Sequence, residues 1–446
     1  MKPYELIILG SGIAGLSAAQ YAGSQGARVL IIDPGKPGGH SVFKGPEILL
    51  EEMNNGASGD VLPPWSEIKQ RAQEISNDRS SLWQEELKRL GVKSLRGHAQ
   101  VINANRVVVT DDGEPIEHHC ENVLVATGSA VCPLPSFPFE PDLIFESEAL
   151  WALDELPSSL LIAGSNLESL AWAELLRRLG VKVFFTHEST EMLDGFDPEL
   201  IAFLEKGMKR SKVKLLLKKT IKSIFKNSEG LAITLDGGIK FTVNKLLVCG
   251  NRKVDLSNIF YPESVPDLGG NGEILVDEKM KTTLGNLFAA GSVTGHVRNP
   301  YRSQEEGRVA AANALGKKRS FHPEWIPDVV RLSQTVASVG CFGGNAHHFG
   351  FRGVEGRSIG WKKDHDFPLD TGESFCKIVA DRDRREIVGG QAAGAFSAEM
   401  VSMIQMGVRK GMTPRDFTQL QASWGGPFAP LHEAAIDCLS KLNQER

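Results

Sequence analysis

Residues 4–33 read YELIILGSGIAGLSAAQYAGSQGARVLIID, and their order carries the fold assignment. YELIILG is a short apolar run that predicts a strand. GSGIAG (10–15) predicts a tight turn, LSAAQYAGSQG a helix ending in glycine, and RVLIID a second strand that stops on Asp33. This sequence of elements gives a G-x-G-x-x-G pattern its meaning as a dinucleotide-binding βαβ unit. Gly10 permits the turn, Gly12 lets the backbone approach a pyrophosphate, and Gly15 lets helix and strand pack closely. Ser11 and Ala14 complete the turn, whose helix amides face the phosphates. Asp33 is placed to accept hydrogen bonds from ribose hydroxyls.

A second unit of the same order lies at 158–189, SSLLIAGSNLESLAWAELLRRLGVKVFFTHES. Leu167, Leu170, Ala171 and Leu175 give its helix an apolar face at i, i+3, i+4 spacing. Its glycines are eroded. Gly164 remains, but Asn166 and Ser169 fill the second and third positions, and His187 stands at the strand end where an acid would meet the ribose. Asn166 adds a side chain where the backbone should approach a pyrophosphate; Ser169 is small enough to keep the helix against the strand.

The 446 residues exceed one core and imply two to three domains. A net charge of −5 gives no electrostatic reason to expect nucleic acid or an anionic membrane. The basic stretch 206–226 reads as a solvated helix and strand face. No run reaches the roughly 18 apolar residues of a membrane-spanning helix. The six cysteines (120, 132, 249, 341, 376, 438) form no C-x-x-C or C-x-x-x-x-C pair, so neither a disulfide framework nor a zinc site is expected. Their scatter fits a reducing compartment, and the chain is expected in the cytoplasm. Lys2 ahead of LIILGSGIAGLSAA loosely resembles a signal peptide, but cleavage there would destroy the glycine turn.

Two further stretches run from an apolar strand into a glycine turn: ENVLVATGSAVCPLP, with Ala126, Thr127 and Gly128, and GNLFAAGSVTG (285–295), with Gly291 and Ser292. They resemble the motifs by which FAD-dependent pyridine nucleotide-disulfide oxidoreductases close the flavin site. RGHAQVINANRVVV (96–109, including Ala99), LDGFDPEL (193–200), SQEEGRVAA (303–311) and IPDVVRLSQTVASVG (326–340) also resemble this family, nearest its dihydrolipoamide dehydrogenase branch. The resemblance implies an α/β fold: two Rossmann-like dinucleotide-binding domains and a C-terminal α/β dimerisation domain. It divides the chain into an FAD-binding domain (1–150 with 251–320), an NAD(P)-binding-like domain (151–250) and a dimerisation domain (321–446). It further implies a homodimer, FAD at the first glycine turn, and NAD(P)H at the second. NADH is favoured over NADPH, since no arginine follows His187 to meet a 2′-phosphate.

The same resemblance exposes what the chain lacks. In GGHSVFKGP (38–46), Ser41 and Pro46 stand at the family's two redox cysteine positions. Leu50 replaces the lysine beside the flavin, and Ala171 replaces its glutamate partner. Ser292 replaces an aspartate that bonds the ribityl chain. In WGGPFAPLHE, Gly426 and Leu431 occupy the positions of the acid–base histidine and its glutamate, and His432 and Glu433 are offset from them. A dithiol mechanism needs a thiolate and a base to poise it. The expectation is therefore an FAD-dependent oxidoreductase passing electrons through the flavin without a redox disulfide, to a non-thiol acceptor such as a quinone or redox protein. The alternatives are a non-catalytic flavin-binding scaffold or sensor, and a thiol enzyme using distant cysteines. No catalytic residue is identified; Gly39 and His40 follow the first turn, and His40 is a weak candidate for moving protons near the flavin. Trp424, Phe428 and Phe43 are candidates for an aromatic pocket. His347 and His348, read as strand residues facing opposite ways, make a poor metal pair, as do His118 and His119 next to Cys120.

Overall fold

The computed structural model describes residues 2–39, 46, 49–50, 63–111, 113–189, 192–193, 195–250, 252–296, 299–358, 374–420, 426 and 428–444. Three sheets organise these residues. β1 (Tyr4–Leu9) is an apolar run whose last four residues are all buried, as befits a strand covered on both faces. It leads through the glycine turn into α1 (Ile13–Ser24) and back along β2 (Val29–Asp33). α2 (Trp65–Arg89) and β3 (Lys93–Arg96) follow. An antiparallel extension comes next: β4 (His98–Asn103), β5 (Arg106–Thr110) and the first half of β6 (Ile116–Val125). The second half of β6 lies parallel to β1, giving the order β3-β2-β1-β6-β5-β4.

The chain then builds a second parallel sheet from β7 (Ile144–Glu146), β8 (Ser159–Ala163), α3 (Leu167–Arg178), β9 (Lys182–His187), α4 (Pro198–Arg210) and β10 (Lys214–Leu217). Three antiparallel strands, β11 (Ile221–Asn227), β12 (Gly230–Leu235) and β13 (Lys240–Val243), precede β14 (Lys245–Val248), which completes the order β10-β9-β8-β14-β7. β7 lies within the stretch 1–150 yet pairs with β14, so the second sheet begins before residue 150. This corrects the expected boundary; a three-residue strand is too short to show a period.

β15 (Leu287–Ala289) returns to pair with β6, and α5 (Pro300–Ala314) packs on α1. That helix crossing is close: a Cβ on Gly307 would lie 2.1 Å from the Ala14 carbonyl oxygen. The last sheet is antiparallel, in the order β16 (Asp328–Val330), β17 (Val336–Gly340), β20 (Ile387–Ala393), β19 (Phe375–Asp381), β18 (Gly353–Arg357). β19 and β20 form an antiparallel hairpin that turns at DRDRRE (381–386). α6 (Ser397–Lys410) and α7 (Ala429–Gln444) cover this sheet. Lys377 of β19, 7% exposed, ties the last two sheets together through Asp197, the N-cap of α4, at 3.1 Å, with Glu199 at 2.9 Å and Glu355 at 3.4 Å. No described helix is long and apolar enough to cross a membrane.

Candidate active site: an open and a closed glycine turn

The glycines of the first turn have different tasks. A Cβ on Gly10, whose φ is +99°, would lie 2.4 Å from the Ala126 carbonyl oxygen, and one on Gly15 would lie 1.9 Å from the Gly10 oxygen. These two glycines allow the turn and helix to close on their neighbours. A Cβ on Gly12 would meet nothing within 4 Å, although Gly12 lines a cavity. Its missing side chain keeps ligand space open. Gly12 is also the N-cap of α1, with no side-chain cap and no acid in the first turn, so the positive helix end is left to a ligand. Asp33 is fixed beside it, accepting from the Ser11 amide at 2.6 Å and the Gly35 amide at 2.7 Å. Gly39 closes over the turn, where a Cβ would lie 2.8 Å from the Gly12 Cα.

The cavity measures about 710 Å³. Gly10, Gly12, Ala14, Asp33 and Gly39 line it, and so do Ala99, Ala126, Thr127, Gly128, Gly291 and Ser292. Ser11 and Gly15 sit behind the wall, Ser11 with a buried hydroxyl that has no partner among the described residues. Gly164 and His187 are absent from the lining. His40, Ser41, Phe43 and Trp424 lie outside the described residues. Beneath Ser292, the buried Glu306 accepts from the Gly291 amide at 2.8 Å and pairs with His296 at 3.0 Å and Arg302 at 2.7 Å. Burial works to raise its pKa, but the hydrogen bonds and charge from His296 and Arg302 outweigh this and hold it below the usual carboxylate range. The Gly291 loop therefore rests on an ionised carboxylate.

The second turn is closed by its own side chains. The Asn166 side chain accepts from the Ser169 amide at 2.8 Å, and the Ser169 hydroxyl lies 3.0 Å from the Asn166 amide, a complete capping box. The Ser165 hydroxyl donates to the Met192 carbonyl. Glu168 adds a carboxylate to the first turn of α3, where the Ser147 hydroxyl donates to it at 2.5 Å. Gly164 keeps a packing role, since a Cβ there would collide with the Cys249 carbonyl. His187 ends β9 with a buried Nε2 that has no partner among the described residues.

The two positions that the resemblance assigned to a charge pair fall in one apolar cluster. Leu50 and Ala171 are both fully buried there, together with Trp172. Trp172 packs on Trp151 at 5.2 Å between ring centroids, and Trp151 stacks on Trp65 at 5.4 Å. Pro46 is buried. At the C-terminus Leu431 is a core residue, His432 lies 3.1 Å from the Thr418 carbonyl oxygen, and Glu433 is exposed. Phe428, a candidate for an aromatic pocket, packs instead on the core of the last sheet and does not line the cavity. His347 and His348 also differ from expectation. They lie in a 3₁₀ turn, not a strand, and their rings approach to 4.0 Å. His118 and His119 do alternate along β6. Among the described residues no group of three or more His, Cys, Asp or Glu could hold a metal ion.

All six cysteines are free thiols, and five are buried. Burial pushes Cys120 and Cys438 up to about 12 and Cys341 up to about 11, and drives Cys376 higher still. The cavity also contains residues that the sequence reading passed over: Arg79, Leu167, Glu168, Arg252, Tyr301 and Arg331. Arg331 had a visible signal, a cation set between Val330 and Leu332 in an apolar stretch.

The pyridine nucleotide-disulphide oxidoreductase profile matches residues 4–314, and the dimerisation-domain profile of the same family matches residues 326–423. A dihydrolipoyl dehydrogenase of Geobacillus stearothermophilus is 24% identical over 430 residues, 92% of this chain and 91% of the relative. A soluble pyridine nucleotide transhydrogenase of Mycobacterium bovis is 25% identical over 359 residues, 76% of each chain. The crystal structure of LpdA from Mycobacterium tuberculosis superposes with a TM-score of 0.86 at 22% identity, covering 97% of this chain and 98% of that one.

Proposed function

Because the chain belongs to the pyridine nucleotide-disulphide oxidoreductase family, we propose that it is an FAD-dependent oxidoreductase that moves electrons through the flavin without a redox disulfide. The observation that carries this reading is the pairing of an open first turn with a dismantled thiol site. Gly12 leaves space that a Cβ would fill, beside an uncapped helix end and an oriented Asp33. These features fit FAD. The positions of the family's charge pair are meanwhile filled by buried Leu50 and Ala171. The dithiol positions hold Ser41 and Pro46, neither of which can form a thiolate.

When bound, FAD supplies a two-electron carrier. The chain's own residues do the holding: the α1 amides meet the pyrophosphate, Asp33 accepts from the adenosine ribose, and Ser292 bonds the ribityl chain without the charge assistance an aspartate would add. The second turn offers a nicotinamide dinucleotide a poorer seat, since Asn166 and Ser169 occupy the helix end and Glu168 places a negative charge there. The donor is then NADH or an organic molecule, and the acceptor a quinone or redox protein. Residues 326–423 support a homodimer.

An anaerobic titration tests this. Purified holo-protein receives NADH, NADPH and dihydrolipoamide in turn while the flavin's visible band is followed, and then menadione is added to the reduced protein. Bleaching by a non-thiol donor and recovery with menadione is the expected result. A protein that takes up no FAD, or that bleaches only with dihydrolipoamide, overturns it. The closed second turn favours one other reading, a flavin-binding dimeric scaffold or sensor without turnover. A flavin that stays oxidised with every donor would support that alternative.

A further inference from the structure

Three parts of the chain build the cavity, and only one of them carries the open turn. The first sheet and α5 supply the glycines, Asp33, Ala126 and Ser292. Leu167 and Glu168 at the start of α3 and residues 329–332 at the end of β16 add to the wall, as do Arg79, Arg252 and Asp255. The first two groups belong to the other two sheets. They carry opposite charges in different states. Glu168 is engaged by Ser147. Arg331 is half-buried and makes no hydrogen bond or ion pair among the described residues.

A guanidinium drawn partly out of water with five donors unused is costly unless something binds it. The segment that carries Arg331 is pinned in place. Val330 and Leu332 are buried on either side. The Ser333 amide donates to both oxygens of Glu174, at 2.9 and 3.1 Å; Glu174 is 2% exposed and pairs with Arg178 at 3.0 Å. The fold thus holds a cation without a partner among the described residues at the cavity wall, beside a buried clamp on the next stretch of chain.

We propose that Arg331 is the docking group for the second redox substrate, and that this substrate is an organic carboxylate. A planar guanidinium matches a carboxylate with two parallel hydrogen bonds. Glu168, in the wall of the same cavity, repels a carboxylate entering the other way round, which favours one orientation. The inference rests on the proposed electron path and names its substrate class. It requires no residue of the glycine cradle.

The test uses oxidised holo-protein and two redox-inactive probes of one shape, benzoate and benzamide, with perturbation of the flavin's visible band as the binding readout. Benzoate is expected to bind about 10- to 100-fold more tightly than benzamide, the range for a charge-assisted bidentate contact. Arg331→Gln should abolish that preference and Arg331→Lys should restore part of it, with FAD retained in both. Equal affinity for the two probes, or a preference that survives Arg331→Gln, overturns the proposal. Loss of FAD from Arg331→Gln also overturns it, because Arg331 would then belong to the cofactor cradle. Failure of the electron path is read separately: if menadione does not reoxidise dithionite-reduced protein while the benzoate preference holds, the path is wrong and the docking group stands.

Discussion

Gly12→Ala separates ligand space from folding space. Its backbone, at φ −70°, is open to any residue, and the new Cβ would meet no protein atom within 4 Å. Losing glycine at an N-cap costs up to about 1 kcal/mol, and the stiffer unfolded chain returns about 0.4–1 kcal/mol. The apo-protein should therefore change by less than about 1 kcal/mol in urea unfolding. FAD binding should suffer far more. A methyl in the pyrophosphate's place forces overpacking of about 1–3 kcal/mol and lengthens charge-assisted amide contacts of about 1.5–3 kcal/mol. Taken together, about 3–5 kcal/mol is lost, roughly two to four orders of magnitude in Kd. Reconstitution of apo-protein followed by flavin fluorescence measures it. Gly10→Ala is the counter-case: its Cβ would lie 2.4 Å from a backbone oxygen at positive φ, so the apo-protein itself should lose about 3 kcal/mol or more. If Gly12→Ala binds FAD within about threefold of wild type, the space beside Gly12 is not where the pyrophosphate lies, and the reasoning fails.

The other expectations concern charge and thiols. Glu306 has a folded pKa held below its unfolded value, so its contribution is complete above pH about 4.3 and is lost as pH falls through the lower folded value. Glu306→Gln should cost about 3 kcal/mol at neutral pH and flatten the acid limb of the stability curve; an unchanged acid limb in denaturant titrations would refute the assignment. For Lys377, burial works to lower the pKa, but Glu199, Asp197 and Glu355 outweigh it and raise it. Its stabilisation is thus present at neutral pH and fades only as pH rises above about 10.4. Lys377→Met leaves the buried Asp197 and the half-buried Glu355 without their cation and Glu199 with Arg357 alone, and should lower stability by about 3–5 kcal/mol, read from the urea midpoint. Dithionitrobenzoate at mildly alkaline pH should modify Cys132 quickly and the five buried thiols only on unfolding. Rapid reaction of two or more thiols in the native protein would reopen a mechanism based on distant cysteines.

Both βαβ units were legible because their signals are local. An apolar run, a turn opened by glycine, a helix and a second apolar strand are all written within about 30 residues. Asn166 was legible as an obstacle but not as a cap. The missing clue was Ser169, three residues on, which answers it across the first turn of α3. Had the N-x-x-S spacing been weighed, the closed helix end would have been readable. Glu168 and Arg331 could not be placed from sequence, because they reach one cavity only when three sheets come together. β7 escaped notice because three residues show no period, and the histidine pair because a 3₁₀ turn leaves no mark distinguishing it from a strand end.

If the chain has given up thiol chemistry, as proposed, the loss has an energetic consequence for how reversible it is. A buried ion pair exchanged for apolar side chains on both sides is close to neutral, whereas a single charge left in the same place costs about 3–5 kcal/mol. Leu50 and Ala171 now share a cluster with Trp172, which stands next to Ala171 on α3 and is itself fully buried. A glutamate restored at 171 would enter that cluster without a cation, and a lysine restored at 50 would enter without an anion. Cysteines at 41 and 46 alone would lack both the charge pair and the C-terminal base, since Gly426 and Leu431 occupy those positions. Each single step back is therefore either destabilising or without effect on thiol chemistry. The open turn at Gly12 is under no such penalty. It needs only its missing Cβ, its uncapped helix and Asp33, all of which are in place. On the proposed reading, the flavin cradle shares its cavity wall with Glu168 and Arg331, and the second substrate meets both charges there.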